Sequence, residues 1–133
     1  MRHELTTRAP NIVLVMADQM APAALPFHGH ELVQAPHMAA LAAEGVVFEA
    51  AYCNSPLCSP SRAVLMSGRL PSRTGVYDNA AEFRADIPTF AHYLRHAGYR
   101  TILSGKMHFC GPDQLFFFND TATTEIYTAD FGW

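Results

Sequence analysis

Residues 11–18 (NIVLVMAD) form an unbroken apolar run that closes on an acid. A half-exposed strand would alternate apolar with polar. A run this short and continuous, rich in Ile and Val, predicts instead a strand buried on both faces, as in a parallel sheet. Such a sheet needs helices to cover it and crossovers to join its strands. Residues 21–36 hold three prolines and a glycine and read as a loop. Residues 36–44 (PHMAALAAE) predict a helix, with Pro36 in its first turn and Gly45 at its carboxyl cap. Residues 46–52 predict a second strand. After a proline-rich turn at 54–60, residues 61–67 predict a helix ended by Gly68. Residues 70–86 read as loop, 88–96 (PTFAHYLRH) as a helix stopped by Gly98, and 99–103 as a third strand broken by Ser104 and Gly105. The order strand, helix, strand, helix, strand predicts an α/β sandwich, a mainly parallel sheet flanked by helices.

The bulk properties narrow the function classes. The chain has 133 residues, enough for one ordinary domain, and a formal net charge of -3, so no basic excess points to a nucleic-acid partner. Residues 1–10 are polar and lack the apolar core of a secretory signal, and no apolar run approaches the length of a membrane span. Cys53, Cys58 and Cys110 do not make an even disulfide framework. They predict reduced thiols in a cytoplasmic protein.

In open parallel sheets the ligand crevice lies beyond the carboxyl ends of the strands. Asp18 ends the first predicted strand, and Lys106 and His108 follow the last. Lys106 and His108 are two apart, so an extended segment would point both the same way. Between them in sequence stands Cys58-Ser59-Pro60-Ser61-Arg62, followed by Leu65, Met66, Ser67 and Gly68. Cys58 precedes a proline at the expected start of a helix, where free N–H groups and the macrodipole stabilise anions. Arg62 lies one turn on and suits a bidentate grip on an oxyanion. From the residues alone this is an anion site with a possible nucleophile. A lone cysteine before a helix is more often a buried small hydrophobe, Asp18 alone a solvated strand-end acid, and Lys106 and His108 alone surface side chains.

The spacing Cys58, Pro60, Arg62, Gly68 resembles the type I sulfatase signature, and the resemblance extends from about residue 11 to residue 114. It implies an alkaline-phosphatase-like fold, of which residues 1–133 would be an incomplete amino-terminal part of the catalytic domain. It implies that Cys58 is oxidised by a formylglycine-generating enzyme and that the hydrated aldehyde is the nucleophile. Asp18 matches the first metal-binding acid of the family. Where many members have a second acid, this chain has Gln19, which offers an oxygen without the charge. The metal set implied here is Asp18, Gln19 and position 58, holding Ca²⁺ or another divalent cation such as Mn²⁺ or Mg²⁺. Gly105-Lys106-Met107-His108 resembles the family's G-K-x-H element. Arg62 and Lys106 would offset charge on the sulfate oxygens, and His108 would take the proton that lets sulfate leave.

Three stretches, 52–62 (YCNSPLCSPSR), 75–94 (GVYDNAAEFRADIPTFAHYL) and 103–115 (LSGKMHFCGPDQL), resemble the bacterial choline-sulfatase subgroup more closely, as does the pair Asp18-Gln19. That implies choline-O-sulfate as the small-molecule substrate, contacted by Lys106 and Asn79. The terminal ADFGW places Trp133 as a wall for a trimethylammonium group by cation–π attraction, or as a core-capping tryptophan. The full-length protein would be a homo-oligomer without membrane or nucleic-acid partners. A phosphonate or phosphate monoester hydrolase of the same superfamily would share nucleophile and metal, and a truncated product would have no activity. Residues 119–128 (NDTATTEIYT) read as the one-frame translation of a common sequencing-adapter oligonucleotide, with Phe116 to Phe118 as a homopolymer run. About 116–128 is therefore expected to be an assembly artefact.

Overall fold

The structure is a computed structural model that describes residues 9–111. Trp133, Gln114, Leu115 and the stretch 116–128 lie outside the described residues. The chain forms two compact units that divide after Glu49.

The first unit carries two 3-10 turns, Pro22–Ala24 and Pro26–His28, and one α-helix, α1 (Pro36–Glu44). Both turns open on the prolines that made this stretch read as loop. Helix α1 has the bounds its sequence predicts, with Pro36 in the first turn, where a missing N–H costs nothing. Gly45 ends it, and a Cβ there would stand 3.0 Å from the Leu41 carbonyl oxygen. Leu25 is the one buried residue of this unit among the described residues.

The second unit carries α2 (Cys58–Ser67), α3 (Pro71–Thr74) and α4 (Phe90–His96). Helix α2 buries Ser59, Arg62, Ala63 and Met66, a spacing of three and four that places them on one face. Ala63 and Met66 pack with Val76, Phe83, Ile87 and Ala91 into one cluster, against which Leu103, Met107 and Phe109 lean. The Phe83 and Phe109 rings meet at 4.6 Å between centroids and 40°. Gly68 closes α2 in the left-handed region at φ 67°, its N–H donating to the Val64 carbonyl at 2.8 Å. Helix α4 begins two residues later than its sequence predicts. Thr89 takes the cap position, and its N–H donates to His92 Nδ1 at 3.0 Å. The predicted 70–86 loop contains the single turn α3, between Pro71 and Gly75.

The three predicted strands do not form. Among the described residues the one sheet-like pairing is an isolated parallel bridge between Glu82 and Cys110. The predicted buried strand 11–18 is exposed instead, with Val13 at 82% and Val15 at 89% of full accessibility. A strand exists only with a lateral partner to take its backbone groups, and an apolar run is buried only where helices cover it. Helix α1, the sole α-helix of that unit among the described residues, buries no side chain. No helix of the described residues is long and apolar enough to cross a membrane.

Candidate active site

Helix α2 starts at Cys58 itself, three residues earlier than its sequence predicts. Pro60 is tolerated because the N–H groups of a first helical turn have no intrahelical partner to lose. The thiol bearer is therefore the first residue of the helix. Arg62 follows at i+4, on the same face.

Arg62 is 6% exposed, and its Nη1 donates to the Lys106 carbonyl oxygen at 2.6 Å. A buried guanidinium needs such acceptors, since desolvation is costly. The bond ties the 105–108 segment to α2. The Lys106 side chain then turns back, its Nζ donating to Cys58 Sγ at 3.8 Å. Cys58, Arg62 and Lys106, up to 48 residues apart, are thus linked through Lys106, whose carbonyl is held by Arg62 and whose ammonium stands beside the Cys58 sulfur. This arrangement can hold a small oxyanion against the group at position 58.

The 105–108 segment is not extended throughout. Gly105 has φ 105° and His108 φ 56°, both in the left-handed region. For a non-glycine residue that is uncommon and tends to mark constrained functional backbone. It corrects the expectation that Lys106 and His108 project alike from a regular extended segment. His108 makes no hydrogen bond to Cys58. Its Nδ1 is buried without a hydrogen-bond partner, as is the hydroxyl of Ser59, a fully buried residue beside Cys58.

Asn79 comes to the helix start from a loop. Its Oδ1 accepts the Ser59 N–H at 3.0 Å, and its carbonyl accepts the Cys110 thiol at 3.4 Å. Neither Cys110 nor this capping role carried a sequence signal beyond the turn-forming pair Asp78-Asn79. No disulfide joins Cys53, Cys58 and Cys110. Asp18 and Gln19 belong to the first unit and are exposed there, with Gln19 at φ 56°. Carboxylate and amide both offer oxygen, the donor a hard divalent cation takes, so the pair fits part of such a site.

A protein-family model described as Sulfatase matches residues 10–128. The chain is 54% identical over 129 residues to a choline-sulfatase of Rhizobium meliloti (strain 1021), covering 97% of this chain and 25% of that protein. It is 37% identical over 110 residues to an N-acetylglucosamine-6-O-sulfatase of Bacteroides thetaiotaomicron, covering 83% of this chain and 20% of that one. A solved Bacteroides fragilis protein assigned as a sulfatase superposes with a TM-score of 0.73 at 33% identity, over 79% of this chain and 24% of its own. The chain thus spans about a quarter or less of the length of these relatives.

Proposed function

The chain belongs to the sulfatase family, and from that membership we propose that it bears the nucleophile of an enzyme that hydrolyses a sulfate ester, choline-O-sulfate foremost. The observation that carries this reading is the Lys106 ammonium donating to Cys58 Sγ while buried Arg62, on the helix that Cys58 begins, holds the Lys106 carbonyl. The identity to a choline-sulfatase over nearly the whole chain supports the substrate.

Position 58, oxidised to formylglycine by a formylglycine-generating enzyme and hydrated, supplies the oxygen that bonds to sulfur as the ester S–O bond breaks and choline leaves as the alcohol. Arg62 and Lys106 bind the sulfate oxygens and offset the charge that grows on them. His108 takes a proton from the group at position 58 as sulfate departs, which restores the aldehyde without a second attack at sulfur. Asp18 and Gln19 would hold a divalent cation, Ca²⁺, Mn²⁺ or Mg²⁺, through their oxygens, and that cation would supply the Lewis acidity that makes the nucleophile more acidic. Trp133 offers its ring to the quaternary ammonium of choline. The complete enzyme is a cytoplasmic homo-oligomer in this reading.

The test is a panel of sulfate and phosphate esters given to the complete enzyme, co-expressed with a formylglycine-generating enzyme. Choline-O-sulfate is expected to be the best substrate, and the peptide containing Cys58 to carry aldehyde mass in place of thiol mass. Cys58→Ala is expected to remove nearly all turnover. Preference for phosphate or phosphonate esters would assign the protein to that other branch of the superfamily. An active preparation with an intact thiol at Cys58 would refute the nucleophile.

A further inference from the structure

We infer that Asn79 is a positioning residue that fixes the start of helix α2, and with it Cys58, against the segment that carries Lys106; this rests on the sulfatase reading above for its catalytic meaning. Helix α2 has no local cap. Its cap position is Leu57, which has no side-chain acceptor and makes no capping hydrogen bond. In the first turn Pro60 has no N–H, and the Ser61 N–H is taken by the Leu57 carbonyl at 3.0 Å. The Ser59 N–H, one residue from the thiol bearer, therefore takes its acceptor from outside the helix. Asn79 Oδ1 supplies it across 20 residues.

The loop that delivers this acceptor is itself held. Asp78 Oδ1 accepts the N–H groups of Ala80 and Ala81 at 2.9 and 2.8 Å, which sets the turn around Asn79. Four residues on, the Phe83 N–H donates to the Cys110 carbonyl at 3.1 Å, with the Phe83 side chain fully buried in the core. The Cys110 thiol returns to the Asn79 carbonyl. Residues 78–83 thus form a brace with one end on the nucleophile's helix and the other on the strip that holds Lys106 and His108. The Arg62 to Lys106 bond closes the same frame from the opposite side. A side chain in this place sets how far the Lys106 ammonium stands from position 58.

Hydrogen exchange at the Ser59 amide in the intact protein, read at residue resolution, tests the clamp. Asn79→Ala is expected to speed that exchange about fivefold, the loss of one ordinary hydrogen bond. Asn79→Asp keeps an oxygen acceptor and is expected to hold it near the parent rate. The Gly68 amide, bonded to Val64 at the far end of α2, should keep its rate in both variants, which separates a local release from a lost fold. With choline-O-sulfate, Asn79→Ala is expected to lower kcat on the order of tenfold while KM stays within about twofold, the mark of misplacement. Unchanged Ser59 exchange in Asn79→Ala would overturn the proposal. So would a raised KM at constant kcat, which would make Asn79 a substrate contact. If the parent enzyme hydrolyses no sulfate ester, the sulfatase reading fails, and the exchange rates still decide whether Asn79 clamps the helix.

Discussion

Arg62 stands in two relations at once. It holds the Lys106 carbonyl while buried, and it follows Cys58 by one turn on the same face of α2. Lysine would keep the charge but lose the planar fork, so Arg62→Lys is not a mild change. It is expected to lower kcat/KM for choline-O-sulfate by about 10²–10³, the usual cost of removing an oxyanion donor; a loss under tenfold would remove Arg62 from the chemistry. Asp18→Asn keeps an oxygen and removes a charge. Titration calorimetry with Ca²⁺ is expected to show markedly weaker binding in that variant, and an unaltered isotherm would take Asp18 out of the metal set. Cys58, Pro60 and Arg62 were legible because their relation is local, one turn of one helix. The approach of Lys106 to Cys58 crosses 48 residues, which no periodicity reports; the crevice rule for parallel sheets pointed to a gathering at the strand ends, and the family resemblance named the partners. The capping role of Asn79 was not legible. A helix capped from a distant loop leaves an ordinary leucine where the local signal would stand.

At the scale of elements, helices were read better than strands, for a physical reason. Proline, glycine and threonine act on their own backbone, so Pro36, Gly68 and Thr89 mark helix ends wherever they fall. A strand is completed only by its neighbour, and residues 11–18, 46–52 and 99–103 have none among the described residues. The same residues show where stability is concentrated. Thr89→Ala is expected to cost about 1 kcal/mol through the lost cap of α4. Phe83→Ala, at the centre of the core, is expected to cost about 3–5 kcal/mol. Chemical denaturation of the intact protein would check both. If Phe83→Ala proved no worse than Thr89→Ala, the cluster around α2 and α4 would not be the core of its unit.

Over the whole molecule the balance of buried and exposed surface separates the two units. The second has a hydrophobic cluster. The first exposes Ile12, Val13, Leu14 and Val15 while burying Leu25 alone among its described residues. An apolar stretch of that kind favours association. The 133-residue chain expressed by itself is therefore expected to self-associate in light scattering. It is also expected to show no choline-O-sulfate hydrolysis above a Cys58→Ala control, because Ca²⁺ takes about six to eight oxygens and the proposed set of Asp18, Gln19 and position 58 would supply only a few of them. Turnover above that control would show the cation to need fewer protein ligands. The burial of Ser59, Pro60 and Arg62 in helix α2 also sets a clock. A modifying enzyme that reads Cys58 together with Pro60 and Arg62 needs those residues extended and reachable, and the closed helix hides them. In a protein as long as the Rhizobium meliloti relative, about three quarters of the sequence is still to be made when this part emerges. At about 5–20 residues per second that leaves a delay on the order of tens of seconds. If position 58 is oxidised as proposed, maturation would be a race between that oxidation and closure of α2, and the share of competent enzyme in a cell would record which of the two was faster.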